Sequence, residues 1–519
     1  MKKSALFLVA FLMTCLVDAQ VVYIPDTNFK NKLIELGVDL NNNMEIEYTE
    51  AAVVDTLILW FCPSPILDLT GIEAFIILEY LDCMSNQLST LNLSENILLK
   101  DLRCDLNQLS SVNISLCYQL QRLSCYFNEL TSLNTSNCPN LVSLHCANNT
   151  ITGLDLSNNS MLSKIYCDDN LLTMLEVTGI SGLKVLRCDD NLLTALSLSS
   201  NDSLEYLRCD GNLLTTLDLA DKNYLEELWC GDNQLVTLQL PVTDSLRRIH
   251  CKNNLLTSVD LSGEIGLKWF DCSYNNIGDL DLSNNVNLFS LQCAFNDLDT
   301  LILTNHASLI SVVCTYNNIS FLDISGCSSL KTLYTHSNPL LHLDVSNNPL
   351  LTTLGCDSNG LDSLDVTNNP NLNFLQCGTN PFTRLDLTYN TSLSYIEIRY
   401  CYNLEEMCVW ELPFPPPGVT LSAYGINVGN INFMICTNDA AGNQFSSGHQ
   451  PVLSPNPTTG HIKIHPGEVQ KIELRTLMGE LILSELNVSE LDLTNYPTGL
   501  YVITFWTDQG FFIEKIIVY

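Results

Sequence analysis

Basic side chains are scarce in this 519-residue chain: 23 Lys and Arg stand against 57 Asp and Glu, for a formal charge of −34. Binding to phosphate backbones or anionic lipid needs clustered Lys and Arg, so nucleic-acid and membrane-surface roles are excluded. Catalytic signatures are missing too. No G-x-S-x-G, H-E-x-x-H or P-loop sequence occurs, and the eight histidines are scattered. No enzyme activity is expected. After the first twenty residues no apolar run is long enough to cross a bilayer. At the start, Lys2 and Lys3 precede an apolar run from Ala5 to Val17, and Val17 and Ala19 are the small residues before Gln20. That pattern reads as a signal peptide over 1–19, with an exported mature chain and no transmembrane segment.

Cysteine is not scarce, with 22 residues, but the spacing excludes a disulfide framework. Thirteen cysteines, from Cys62 to Cys314, follow one another at steps of 21; Thr335 takes the next place, and Cys356 and Cys377 resume it. No C-x-x-C or Cys/His zinc spacing appears in the frame. A ladder of buried, small, apolar thiols is therefore expected rather than a redox or metal stripe. Three residues after each ladder position stands an Asn, fifteen times from Asn86 to Asn380, and a Leu opens every copy from Leu78 to Leu393. The frame reads L-x-x-L-x-C-x-x-N-x-L-x-x-L-x-L, as in Leu204 to Leu219. Apolar alternation in L-x-C predicts a short strand with one buried face. One coil cannot bury its apolar groups alone, so coils must stack into a solenoid stabilised by nearest-neighbour interfaces. Each Asn amide donates and accepts at once, and so can satisfy the backbone of an inward turn.

These residues resemble leucine-rich repeats, specifically the short 21-residue bacterial class, over 57–400. The resemblance implies a repeat solenoid with a strand on its concave side, built to bind rather than to catalyse. A solenoid needs its ends covered. In the segment 20–56, Phe29, Leu33 and Leu36 are spaced as one helical face and Gly37 suits its stop. Next, Asp39, Asn41, Asn43, Glu45 and Glu50 fall at the spacing of an EF-hand calcium loop, with Met44 where that loop has Gly. Two readings fit: a Ca²⁺ site, similar to the EF-hand-like segments of related bacterial repeat proteins, or a polar cap held by Asx turns. After the last coil, 401–436 reads as a C-terminal cap, broken by Pro413 and Pro415 to Pro417, in which Cys408 and Cys436 suit a disulfide in an oxidising compartment.

The polar stretch 437–450 reads as a linker. Beyond it, 451–519 changes period: short alternating segments near His461–His465, Ile472–Leu477, Glu480–Leu483, Leu500–Phe505 and Phe511–Val518 predict a small β-sandwich. Ser454-Pro455-Asn456-Pro457-Thr458-Thr459-Gly460, Leu477-Met478-Gly479 and Tyr496-Pro497-Thr498-Gly499-Leu500-Tyr501 resemble the type A C-terminal sorting domain of the type IX secretion system. The likeness implies handling by that machinery and a secreted or outer-surface location.

Binding information lies at the outward strand positions. Tyr166, Arg187, Arg208, Trp229 and His250 directly precede ladder cysteines; Asp168, Asp189 and Asp210 directly follow them; Tyr206 and Trp269 lie alongside. Stacking should gather them into an aromatic–Arg strip flanked by Asp on the concave face. Exposed Trp, Tyr and Arg are the side chains enriched at binding hot spots. The expected partner is an extracellular protein or glycan; the other reading is a structural spacer without a ligand.

Overall fold

The computed structural model describes residues 20–60, 64–436, 452–454, 461–465, 471–476, 481–486, 490–497, 499–507 and 510–518. The signal-peptide segment 1–19, Cys62 and the linker 437–450 lie outside them. The chain divides into two compact units, one through Ile435 and one from Cys436.

The first unit is a leucine-rich-repeat solenoid. Its spine is an 18-stranded parallel sheet of three-residue strands, one per coil, from Thr56–Ile58 to Thr420–Ser422. The register steps without slip: Leu186, Leu207, Leu228 and Ile249 are mutual neighbours, and all are buried. The sheet thus continues one strand into the segment read as the C-terminal cap. Opposite it, some coils form a second short strand, such as Thr216–Asp218 beside Thr237–Gln239.

Three side-chain ladders hold the coils. The expected Asn ladder does the most. Asn212 Nδ2 reaches the carbonyls of Cys209 (3.2 Å), Asp210 (3.1 Å) and, one coil back, Cys188 (3.0 Å). Its Oδ1 accepts the Leu193 N–H at 2.9 Å. Just before each ladder Asn the chain passes through a left-handed residue, from Ser85 to Thr379, of which only Gly211 is glycine. A left-handed conformation costs an L-residue roughly 1–2 kcal/mol. The turn recovers this through bonds such as Asp190 N–H to Asp210 O at 2.9 Å.

In the cysteine ladder, Sγ of Cys104 and Cys167 each donates to a carbonyl of the following coil at 3.4 Å. Thr335 Oγ1 makes the same bond to Gly355 O at 3.4 Å. That explains why threonine replaces cysteine there: both are small and both donate.

The third ladder was not foreseen. Asn96, Asn159, Asn201, Asn285, Asn348, Asn369 and Asn390 are fully buried on the far side of the coil. Asn285 Nδ2 donates back to Leu261 O (3.1 Å) and Glu264 O (2.9 Å). Cys117 and Cys327 fill the same column and donate at 3.4 Å to the corresponding carbonyls. Glu264 also stands in this column of donors, 1% exposed, with neither carboxylate oxygen hydrogen-bonded. Burial pushes its carboxyl up to about 8.

At the N-terminal end, α1 spans Thr27–Glu35 and α2 spans Tyr48–Ala51. Asp26 caps α1 through the N–H groups of Asn28 and Phe29, and its other oxygen accepts Leu67 N–H at 2.7 Å, tying the cap to the first coil. Phe29 and Leu33 are buried as expected, but Leu36 is 42% exposed. The helix ends at Glu35, and Leu36 turns outward as its C-cap. In the second unit, Leu481–Leu486, Lys471–Thr476, Gly499–Thr507 and Gly510–Val518 form a four-stranded antiparallel sheet. Val452–Ser454, His461–His465 and Glu490–Asp492 form a three-stranded one. Ile472, Leu474, Leu491, Leu493 and Ile503 form a buried apolar cluster within this unit.

Two outcomes follow from the ladders. Asn212→Ala leaves a buried N–H and several carbonyls without partners, and should cost about 3 kcal/mol or more, read by urea titration. Glu264 has a folded pKa raised above its unfolded value of about 4.3, so its cost to stability grows as pH rises from there to about 8. Glu264→Gln should therefore stabilise the protein by on the order of 3 kcal/mol at pH 7 and by almost nothing at pH 4, read by melting curves across pH.

Candidate functional site

The strand register builds the site. Tyr166, Arg187, Arg208, Trp229, His250 and Asp271 are successive neighbours in one column of the 18-stranded sheet, the face the resemblance makes concave; Val185, Tyr206, Glu227, Arg248 and Trp269 fill the column beside it. The inward side chain between each pair is buried, so these residues are held on the outer face by the same alternation that builds the core.

Aromatic and guanidinium groups interleave there. The Arg208 Cζ lies 5.6 Å from the Trp229 ring centre. Arg248 lies 5.7 Å from Trp229 and 4.8 Å from Trp269. Attraction between a cation and a ring quadrupole fixes such an array without burying it. His250 packs at 4.9 Å from Trp229 and stands 3.4 Å from both Asp210 and Asp271. Trp229 Nε1 donates to Glu227 at 3.3 Å. On the other flank, His145 stacks on Tyr126 at 4.6 Å and meets Tyr166 at 5.2 Å. Burial holds the His145 imidazole below its ordinary pKa.

All ten residues expected at the site lie on this face, with one correction. Asp168, Asp189 and Asp210 are not an exposed stripe; they are 6%, 2% and 8% exposed. The guanidinium groups fold over them: Arg187 contacts Asp168 (3.1 Å) and Asp189 (3.6 Å), and Arg208 contacts Asp189 and Asp210 (3.3 Å each). Desolvation, then the like charge of Asp168, pushes the Asp189 carboxyl up to about 6 against the pull of Arg208. These carboxylates position the Arg heads rather than meeting solvent themselves.

Arg248, Glu227 and Asp271 join the site without having been singled out from the sequence. A second aromatic feature lies on the following coils: Tyr274, Phe295 and Tyr316 stack at 4.3 Å with nearly parallel planes, each two residues after a ladder cysteine. Their 21-residue step was the available signal.

The loop read as an EF-hand is held by its own bonds. Asp39 accepts the N–H groups of Asn43 (3.1 Å) and Met44 (2.9 Å), and Asn43 Oδ1 accepts that of Glu45 (2.8 Å). Asn41 and Asn43 donate to Glu47, and Glu50 accepts the N–H groups of Leu40 (2.8 Å) and Glu47 (3.0 Å). Glu45 pairs with Lys30 at 2.6 Å. Met44 adopts the left-handed conformation, φ 69°, that glycine ordinarily supplies. Among the described residues no three His, Cys, Asp or Glu side chains converge as a metal ion would require.

All eighteen cysteines described as thiols are buried, while Cys408 and Cys436 are disulfide-bonded. Burial pushes the thiols up, to about 12 for Cys146 and Cys314.

A parallel 21-residue solenoid with a buried Cys–Asn frame defines a leucine-rich-repeat protein. Residues 453–519 match the family described as secretion system C-terminal sorting domain. In structure the chain is similar to the functional domain of InlJ from Listeria monocytogenes, described as including a cysteine ladder, with 28% identity, a TM-score of 0.53, and coverage of 96% of this chain and 98% of that one. It is similar too to the internalin InlF of the same organism, at 20% identity and TM-score 0.51 over 67% of this chain and 99% of that one, a likeness of fold alone. No curated protein sequence matches it. The chain is a leucine-rich-repeat protein with a type IX secretion sorting tail, and it is secreted or displayed at the cell surface. No helix among the described residues is long and apolar enough to cross a membrane.

Buried thiols of raised pKa have little thiolate and no access. The ladder cysteines should resist a disulfide reagent in the native protein and react in denaturant. Peptide mapping without reduction should find Cys408 and Cys436 oxidised.

Proposed function

We propose that this protein is an extracellular binding protein whose concave face, from Tyr166 to Trp269, holds an extracellular protein or glycan. The observation that carries this reading is the interleaved Arg208–Trp229–Arg248–Trp269 array. A solenoid serving only as a rod has no use for two tryptophans and two arginines fixed on its outer face. Trp and Arg supply most of the energy at protein interfaces when they sit at the centre of a patch ringed by other contacts. Here Tyr206 and His250 flank them, and the buried Asp189 and Asp210 hold one guanidinium in place, which reduces the ordering cost on binding. Catalysis is not part of the proposal, since the face has no nucleophile with a positioned base.

The end segments serve this role. The helical segment 20–56 covers the first coil; its loop acts in the proposal as a polar cap held by its own side-chain to backbone bonds, with Glu45 paired to Lys30. The two antiparallel sheets after Val452 are taken as the β-sandwich by which the type IX machinery handles the chain. The boundaries 57–400, 401–436 and 451–519 belong to the same proposal.

The double variant Arg208→Ala, Trp229→Ala should lower capture on an array of extracellular proteins and glycans by at least about tenfold, measured below its melting temperature, where its circular-dichroism spectrum remains that of the folded parent; the melting temperature itself should fall, because Asp189 and Asp210 lose a counter-charge. Unchanged capture would favour the spacer reading.

A further inference from the structure

The carboxylates along this face outnumber the cations that answer them. Asp168, Asp189 and Asp210 share Arg187 and Arg208. The side chains of Asp168 and Asp189 are more than nine-tenths buried, and each keeps one carboxylate oxygen with no hydrogen-bond partner. One residue further along, Asp169, Asp190 and Asp232 occupy left-handed turn positions and are exposed. Asp232 has Lys252 at 4.0 Å. Asp169 receives only the amide of Asn148, at 3.2 Å, and among the described residues neither Asp169 nor Asp190 has a Lys or Arg in ion-pair distance. Like charges on neighbouring strands are unfavourable. Desolvation, then the charge of Asp169, raises the Asp190 carboxyl above its ordinary value, with Asp210 and Asp232 adding and Arg208 opposing.

Beside these two carboxylates lies a surface depression of about 440 Å³, lined by Phe127, Asn148, Thr150, Asp169, Leu171 and Asp190. Phe127 and Leu171 are 57% and 44% exposed and form apolar walls. Apolar walls leading to paired, unanswered carboxylates complement a long aliphatic stem with a cationic head. A small metal ion would leave the walls unused. We propose that this acidic rim docks a basic segment of an extracellular polypeptide, with one Lys or Arg side chain seated between Phe127, Asp169 and Asp190. The proposal rests on the reading of the concave face as a binding surface and names the chemistry of its partner. The charge of −34 would steer such a segment toward the protein, and the depression would select where it lands.

The test is fluorescence anisotropy of labelled decalysine on the full chain at low ionic strength. Asp169→Asn with Asp190→Asn should weaken binding about tenfold. Asp344→Asn with Asp365→Asn makes the same charge change on the opposite side of the coils and keeps the turn acceptors for Ser346 and Thr367; it should leave binding within about twofold. Phe127→Ala, which changes no charge, should weaken binding several-fold. Equal loss in both Asp pairs, or loss in neither, overturns the proposal. Its failure is separable from that of the broader reading: if array capture still needs Arg208 and Trp229 while decalysine ignores Asp169 and Asp190, the face binds a ligand of other chemistry.

Discussion

The structure depends on one repeated interaction, the ladder asparagine that satisfies an inward-dipping turn. A coil of 21 residues is too short to keep its backbone groups in regular secondary structure: the concave strands are three residues long, and most of each coil is turn. Unpaired N–H and C=O groups inside a solenoid would cost more than the leucines recover. Asn212, reaching Cys188, Cys209, Asp210 and Leu193 together, removes that cost for its own turn and binds two coils in one step. Because the next asparagine does the same, the register is set locally and carried along the chain.

The ladders also explain what varies and what does not. Cysteine in the first ladder and in the far column is a donor to the neighbouring coil, and threonine can stand in for it at 335. Glutamate at 264 keeps a place among donors only by holding its proton. Outward positions carry no such demand. They are therefore free to hold Arg208, Trp229, Arg248 and Trp269, whose contacts are with one another and with carboxylates rather than with the core. The fold is a fixed frame with a free face.

Charge has two scales in this protein. Globally the surface is acidic. Locally, on the concave face, Arg187 and Arg208 are drawn down onto Asp168, Asp189 and Asp210, leaving an aromatic–guanidinium strip over buried carboxylates and an uncompensated acidic rim at Asp169 and Asp190. On the proposed reading a partner meets both: a strip that favours aromatic and acidic groups, and a rim that favours cations.

Much of this was legible in the sequence, because a strict period converts position into geometry. The step of 21 placed Cys188, Asn191, Arg187 and Asp189 in the same relation to the core as every residue 21 away, and so gave the solenoid, the buried thiols and the membership of the strip. The sorting tail was equally readable, since its motifs are local. Tertiary structure alone decided where period is silent. Depth was one such matter: the outward-pointing Asp189 is buried because Arg187 and Arg208, on its own and the next coil, close over it. The far-side ladder was another, because its column mixes Asn, Cys and Glu and shows no single letter to count. The loop at Asp39–Glu50 was a third: its spacing is a property of the sequence, but which backbone N–H groups its side-chain oxygens accept depends on how the backbone closes. Periodicity fixes which residues share a face, and packing fixes which of them reach the solvent.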